Sequence, residues 1–271
     1  METRMLLSNL VSETGALGTA QKIGPSSGGG PAPSGSISID QNGTYDVAQY
    51  AEAEVEVAGV GGYTLSEIAT GAEPSGDIVI EDVDLRKYVF SFSQNIGKVS
   101  TTKTDIKGNN AFQQSSITEF VGLNLTRVYS QNAFNGCTNL KKIVIPNATY
   151  YDYNMCLNCT ALEVADIGGG AINKGGVFQG CHALKTLIIR RNTLCTLGNV
   201  TNFAQTPFVS GGSGGTIYIP KVLYDHLGDG SALDYKSATN WSTMDGYGTI
   251  TWAQIEGSIY ETAYADGTPI S

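Results

Sequence analysis

Cys156, Cys159, Cys181 and His182 contain a Cys-x2-Cys pair, the spacing from which many zinc sites are built. A tetrahedral site needs ligands that surround a point. Cys137, Cys159 and Cys181 instead recur at one constant step, which places one thiol in each of three successive units and so along a line. Cys156 falls where neighbouring units carry Phe134 and Phe178. The thiols therefore read as small buried hydrophobes, and neither a metal nor any other cofactor is expected. His182 and His226 are the two histidines, and neither lies in a nucleophile elbow, a kinase loop or a metalloprotease helix. Paired carboxylates alone can cleave a polysaccharide, but between residues 121 and 220 the acids are Asp152, Glu163 and Asp166. Glu81, Asp82 and Asp84 lie in an alternating stretch that reads as a solvated strand face. The acid-rich segments 40–46 and 225–234 could hold calcium. Neither has EF-hand spacing, and Asn42-Gly43 is better explained as a tight turn. No enzyme is expected.

Residues suited to binding remain. Tyr150, Tyr151 and Tyr153 cluster, and Lys141, Lys142, Lys185, Arg190 and Arg191 recur on or beside alternating apolar segments. Aromatic rings pack on sugars and cations attract anionic polymers, so these eight residues are the candidate receptor contacts. The charge distribution singles out the same region. Residues 1–84 carry 13 acids and 2 bases, residues 85–221 carry 5 acids and 13 bases, and residues 222–271 carry 7 acids and 1 base. The net charge of −9 disfavours duplex nucleic acid, whose phosphates require a dominant basic face.

Such residues must be held by a scaffold, and the scaffold is visible as a repeat. Phe134-Asn-Gly-Cys137-Thr-Asn-Leu140, Cys156-Leu-Asn-Cys159-Thr-Ala-Leu162 and Phe178-Gln-Gly-Cys181-His-Ala-Leu184 align at a spacing of 22. Each precedes an alternating strand whose apolar pairs keep register: Ile143 with Ile145, Ala165 with Ile167, Leu187 with Ile189. The same interval taken backward gives a degenerate unit with Phe112, Ser115, Val121 and Leu123, in which Thr118 stands at the Leu position and Ile117 one place off. Forward, a Gly-rich insertion at 210–215 precedes a further strand at 216–220. A period of roughly 20 to 29 residues with one short strand per unit implies stacked coils, none able to bury its apolar side alone. Leu140, Leu162 and Leu184 are expected in one internal column, and Phe134, Cys156 and Phe178 in another.

The 271 residues include 34 glycines and are 15% charged, a composition unlike a helix bundle. No apolar run reaches the roughly 18 to 20 residues of a membrane helix, and residues 1–15 lack the features of a secretory signal. With an odd count of five cysteines, reduced thiols are expected. Residues 1–23, with apolar Met5, Leu6, Leu7, Leu10 and Val11, read as a docking segment, and 24–35 as a Gly/Pro/Ser linker. Residues 36–47 carry a hairpin signal. Residues 52–57, 77–84 and 88–93 alternate as strands, with Ile78, Ile80, Val83, Tyr88, Phe90 and Phe92 as the expected buried set.

The run of AF, xxC, xxL and IxIP resembles the BspA-like leucine-rich repeat of bacterial and phage surface proteins over roughly residues 106–220. Segment 42–57 resembles a short β motif of phage tail-region proteins, and 235–243 is similar to the segment that follows the last repeat in such proteins. The expected fold is mainly β: a leucine-rich-repeat solenoid with parallel strands (101–220), preceded by a small β region (36–100) and closed by an α+β C-terminal cap (221–271). The resemblance implies a non-enzymatic phage virion protein of the tail or another appendage, assembled in the host cytoplasm and displaying the solenoid for host attachment. The expected partners are other virion proteins, bound through the N-terminal segment, and a host cell-surface polymer or protein, with room for a homo-oligomer. Neither nucleic acid nor membrane insertion is expected. The alternatives are a bacterial surface adhesin of the same repeat family and a polysaccharide depolymerase.

Overall fold

A repeat unit this short cannot close a core of its own, so its apolar positions must meet the equivalent positions of the next unit. The computed structural model describes residues 20–22, 36–38, 75–80, 90–92 and 94–255. In chain order the strands begin with β1 (Ala20–Lys22), β2 (Ser36–Ser38), β3 (Ser75–Ile80), β4 (Asn95–Thr101) and β5 (Asp105–Ile106). They continue with β6 (Glu119–Val121), β7 (Arg127–Val128), β8 (Lys142–Ile145), β9 (Tyr150–Tyr151) and β10 (Val164–Ile167). The last five are β11 (Ala171–Ile172), β12 (Thr186–Ile189), β13 (Thr196–Leu197), β14 (Gly215–Ile219) and β15 (Ile250–Gln254). Two short helices, α1 (Lys221–Tyr224) and α2 (Trp241–Asp245), lie near the C-terminal end.

Among the described residues a wide sheet runs in the order β15-β14-β12-β10-β8-β6-β4-β3, and a narrow one in the order β13-β11-β9-β7-β5. Every pairing is parallel. Five successive coils, beginning at β4, β6, β8, β10 and β12, each contribute one strand to the wide sheet and then one to the narrow sheet, so this part of the chain is a solenoid. A third wall is built from turns whose amides also bond to the next coil, as in Phe112 N to Ala133 O at 2.9 Å and Phe134 N to Met155 O at 2.8 Å.

The columns follow from this stacking. Leu140, Leu162 and Leu184 are fully buried at equivalent positions. Phe90, Phe112 and Phe134 stack face to face, with centroids 5.3 Å apart at each step. Cys156 interrupts that stack, and Phe178 on Phe203 resumes it at 5.5 Å. At the corner of the turn wall Asn110, Asn132 and Asn154 all take left-handed backbone (φ 59, 55 and 57°), the conformation that asparagine tolerates best after glycine. Their amides form a ladder, Asn132 Nδ2 to Asn110 Oδ1 at 3.0 Å and Asn154 Nδ2 to Asn132 Oδ1 at 3.1 Å.

Several expectations shift. The wide sheet already includes β3 and β4, so the coils begin before residue 101. Phe90 to Phe92 form a turn rather than a strand, with Phe92 at φ 60°. Their alternation mimicked a strand, but Phe90 is the first member of the Phe stack. Phe120, not Val121, pairs with Ile143 and points into the core. That coil is one residue short between Ser115, which still meets Cys137, and Ile117, which takes the Leu position. Ser36–Ser38 pairs in parallel with Ala20–Lys22, and the turn and return strand of the hairpin expected at 36–47 lie outside the described residues. The rest of the docking segment, the linker, the strand expected at 52–57 and the acids Glu81, Asp82 and Asp84 lie outside the described residues, as do 256–271.

The C-terminal end of the stack is closed by aromatics. Tyr235 packs edge-on to Trp241 (5.2 Å) and stacks on Trp252 (5.2 Å), while Trp241 meets Phe203 at 5.9 Å. The Tyr235 hydroxyl accepts from Cys195 N (2.9 Å), and Trp241 Nε1 donates to Cys195 O (2.6 Å), so both polar tips grip one residue beside the last narrow strand. The turn that carries Tyr235 is organised by buried Asp234, which accepts from the backbone amides of Gly228 (2.8 Å), Gly230 (3.1 Å) and Lys236 (2.8 Å). Burial pushes the Asp234 pKa up, but these three amides outweigh it and hold the carboxyl below its usual value.

Two outcomes follow for stability. Leu162→Ala should cost about 2–5 kcal/mol in denaturant unfolding through the cavity it leaves in the column; a loss under about 1 kcal/mol would be inconsistent with that column. Because its folded pKa is depressed, Asp234 stabilises the cap fully above the ordinary carboxylate range and progressively less as pH falls through it. Thermal unfolding of Asp234→Asn should therefore start from a lower Tm at pH 7 and lose less between pH 5 and pH 2.5 than the parent chain.

Candidate binding surface

The cysteines are interior parts of the stack. Cys137 Sγ donates to Phe112 O (2.9 Å), Cys159 Sγ to Phe134 O (2.9 Å) and Cys181 Sγ to Cys156 O (3.1 Å). Each thiol thus caps a carbonyl of the preceding coil, a task that a larger side chain at this position would block. Burial pushes all five thiols up, Cys137 and Cys195 to about 12. His182 is exposed beside this ladder, and His226 Nδ1 lies 2.6 Å from Asp229.

The basic residues named as candidate receptor contacts are interleaved with acids. Lys141, Glu163 and Lys185 succeed one another along one row at the start of the wide strands, each linked to the next by a backbone hydrogen bond. Lys142 approaches Glu119 at 3.4 Å, and Lys98 reaches the same carboxylate at 3.8 Å. Arg190 forms a two-pronged pair with Asp166, Nε to Oδ1 at 3.0 Å and Nη2 to Oδ2 at 2.8 Å, with the carboxylate fully buried. Val144, Asp166 and Ile188 occupy the strand positions between the core columns and are themselves buried. The middle row of the wide sheet's outer face is therefore closed. Arg191, one residue on, is exposed.

The narrow sheet presents a different wall. Ile106, Val128, Tyr151, Ile172 and Leu197 point inward. Tyr151 is thus a core residue and cannot act as a receptor contact: its hydroxyl donates to Ala148 O and accepts from Gly169 N at 3.2 Å. Burial pushes its phenol well above the ordinary value. Tyr150, its neighbour, takes the outward position. It packs on Tyr129 with centroids 4.9 Å apart, and the Arg127 guanidinium lies 5.7 Å from the Tyr129 ring. One coil on, Lys174 Nζ lies 5.0 Å from the ring of Tyr153, which is 46% exposed. Arg127, Tyr129 and Lys174 were not singled out from the sequence. With two-residue strands the inward and outward sides cannot be told apart before the register is known.

With this geometry established, comparison with known proteins gives one match. Residues 81–185 match the family model described as BspA type Leucine rich repeat region, in six copies. This stretch is similar to BspA-type leucine-rich repeats. No curated protein and no solved structure matches the chain. The leucine-rich repeat stack continues past the matched stretch through β12, β14 and β15, where the pattern is broken by the loop ahead of β14.

On this leucine-rich repeat scaffold the narrow-sheet wall presents ring faces and cations together with the half-buried carboxylates of Asp105 and Asp152. Among the described residues no three His, Cys, Asp or Glu side chains converge on one point. The thiols should stay protonated and unreactive toward a disulfide reagent at pH 8 in the native protein, and all five should react in denaturant. Fast native labelling would contradict the buried ladder.

Proposed function

We propose that the chain is a phage virion appendage protein that attaches to the host surface through the narrow-sheet wall of its solenoid. One observation carries the attachment reading: aromatic rings and cations from successive coils line up on an exposed wall, with Tyr129 on Tyr150 and Lys174 on Tyr153. Flat rings paired with cations suit sugar faces and anionic groups. The repeat family supports a scaffold that works by binding. The virion part of the reading is supported by the likeness of segments 42–57 and 235–243 to parts of phage tail-region proteins.

The double variant Tyr129→Ala/Tyr153→Ala should bind host cells at least tenfold more weakly than the parent while keeping its Tm within a few degrees. Undiminished binding would overturn the role of this wall. Mass spectrometry of purified particles should find the chain. Its absence from all particle samples, with recovery in a bacterial envelope fraction, would favour the adhesin reading instead.

A further inference from the structure

Beside the narrow-sheet wall, where each coil turns from the wide sheet into the narrow one, runs a groove of about 680 Å³. Its lining contains no acid: Thr104, Thr126, Thr149, Asn124 and Asn147 supply hydroxyls and amides, and Arg190 and Arg191 border one end. The polar residues form rows because the coils stack. Thr126 N donates to Thr104 O (2.8 Å) and Thr149 N to Thr126 O (2.9 Å), so the three threonines stand at one position of successive coils. Asn124 and Asn147 are each tied through Nδ2 to the coil before, at Thr102 O (3.3 Å) and Leu123 O (2.7 Å). Both amides are thereby oriented, and each retains its Oδ1 as an acceptor.

The rows stop at the following coil, and the reason is steric. A side chain at Gly168 would collide with the backbone of residues 147 and 148, and one at Gly170 (φ 80°) with Thr149 O. These glycines let the coil corner sit directly on its predecessor, which leaves a recess bounded by the next coil's arginines. Arg190 is fixed there by Asp166, which balances its charge. Exposed Arg191 makes the end of the groove net positive.

We propose that this groove is a subsite for a linear polyhydroxylated polymer carrying carboxylates or phosphates, lying along the coil axis with an anionic group at Arg191. Hydroxyls and amides repeating at the strand spacing of about 4.8 Å offer acceptors along an extended chain, and the second Nδ2 hydrogens of Asn124 and Asn147 offer donors, while the Thr126 hydroxyl is itself given to Thr104 O (3.2 Å). The absence of acids from the lining and the terminal cation select for negative charge. The inference deepens the attachment reading by naming a ligand class at the adjoining surface, and it rests on that reading only for its biological setting.

The experiment is calorimetric titration of the full chain with three probes: an oligouronate, a poly(glycerol phosphate) and neutral dextran. Binding of either anionic probe, weakened at least fivefold by Arg191→Ser and lost in the groove-filling Thr126→Tyr, is the expected result; which anionic probe binds tells carboxylate from phosphate. Both variants must keep the parent's circular dichroism and Tm, and Thr149→Tyr replaces Thr126→Tyr if that variant does not fold. No anionic binding at millimolar concentration, equal binding of dextran, or binding indifferent to both substitutions would overturn the groove. Host-cell binding by the parent in the face of that result would leave attachment standing; probe binding without cell binding would instead sink the attachment reading.

Discussion

The described stack depends on hydrogen bonding from coil to coil on three walls at a separation of about 4.8 Å. The two sheets supply it through their parallel registers, and the turn wall through amides such as Asn132 N to Tyr153 O (2.9 Å). This constraint makes every position face its equivalent in the next coil. A position is therefore filled by a residue that packs well on a copy of itself, or on a residue that complements it. Phenylalanine stacks on phenylalanine, the asparagines chain their amides, and cysteine fits because a small side chain with a weak donor can reach the carbonyl one coil back. Charges cannot repeat in this way, since like charges on neighbouring strands repel. Lys98, Glu119 and Lys142 succeed one another on the wide sheet, as do Lys141, Glu163 and Lys185 along its edge. The positive middle segment seen in the composition is accordingly a patchwork in space.

A column that repeats must also be ended, and the C-terminal end uses larger rings to do it. Trp252 extends the inner column of the wide sheet, pairing with Ile217, while Trp241 and Tyr235 reach the last narrow strand and satisfy the backbone of Cys195. Asp234 acts one level further out, as a hub for three amides that shape the turn holding Tyr235. Deleting that carboxylate would loosen an aromatic lid without touching the column beneath.

The period, the leucine column, the Cys156 break in the aromatic stack and the linear placement of the thiols were all legible in the sequence, because each depends only on spacing. What was hidden depends on local length. The coil containing Phe120 loses a residue after Ser115 yet keeps Phe112 and Ser115 opposite Phe134 and Cys137, so a fixed step names Val121 where the core takes Phe120. The same limit applies to the candidate site. Tyr150 and Tyr151 are adjacent, and only the pairing of Val128 with Tyr151 shows which of them enters the core. The Asn ladder did carry a signal, asparagines at 110, 132 and 154, but it reads as coincidence until the left-handed corner that requires them is seen.

These constraints also decide which outer positions of the stack are free to vary. Its turn wall is committed to ladders of amides and rings, and the outer face of its wide sheet has a buried middle row holding Val144, Asp166 and Ile188. Lys98, Lys142, Asp166, Arg190 and Tyr218 on that face have further interactions beyond the pairs described. The narrow sheet is different because its strands are two residues long: one residue of each enters the core, and the other is free of the packing that fixes every interior column. Variation at Arg127, Tyr150 and Ala171 therefore costs the stack little. A wall whose residues are not needed for folding, set beside a groove whose backbone is fixed by the fold, combines adjustable contacts with a rigid frame.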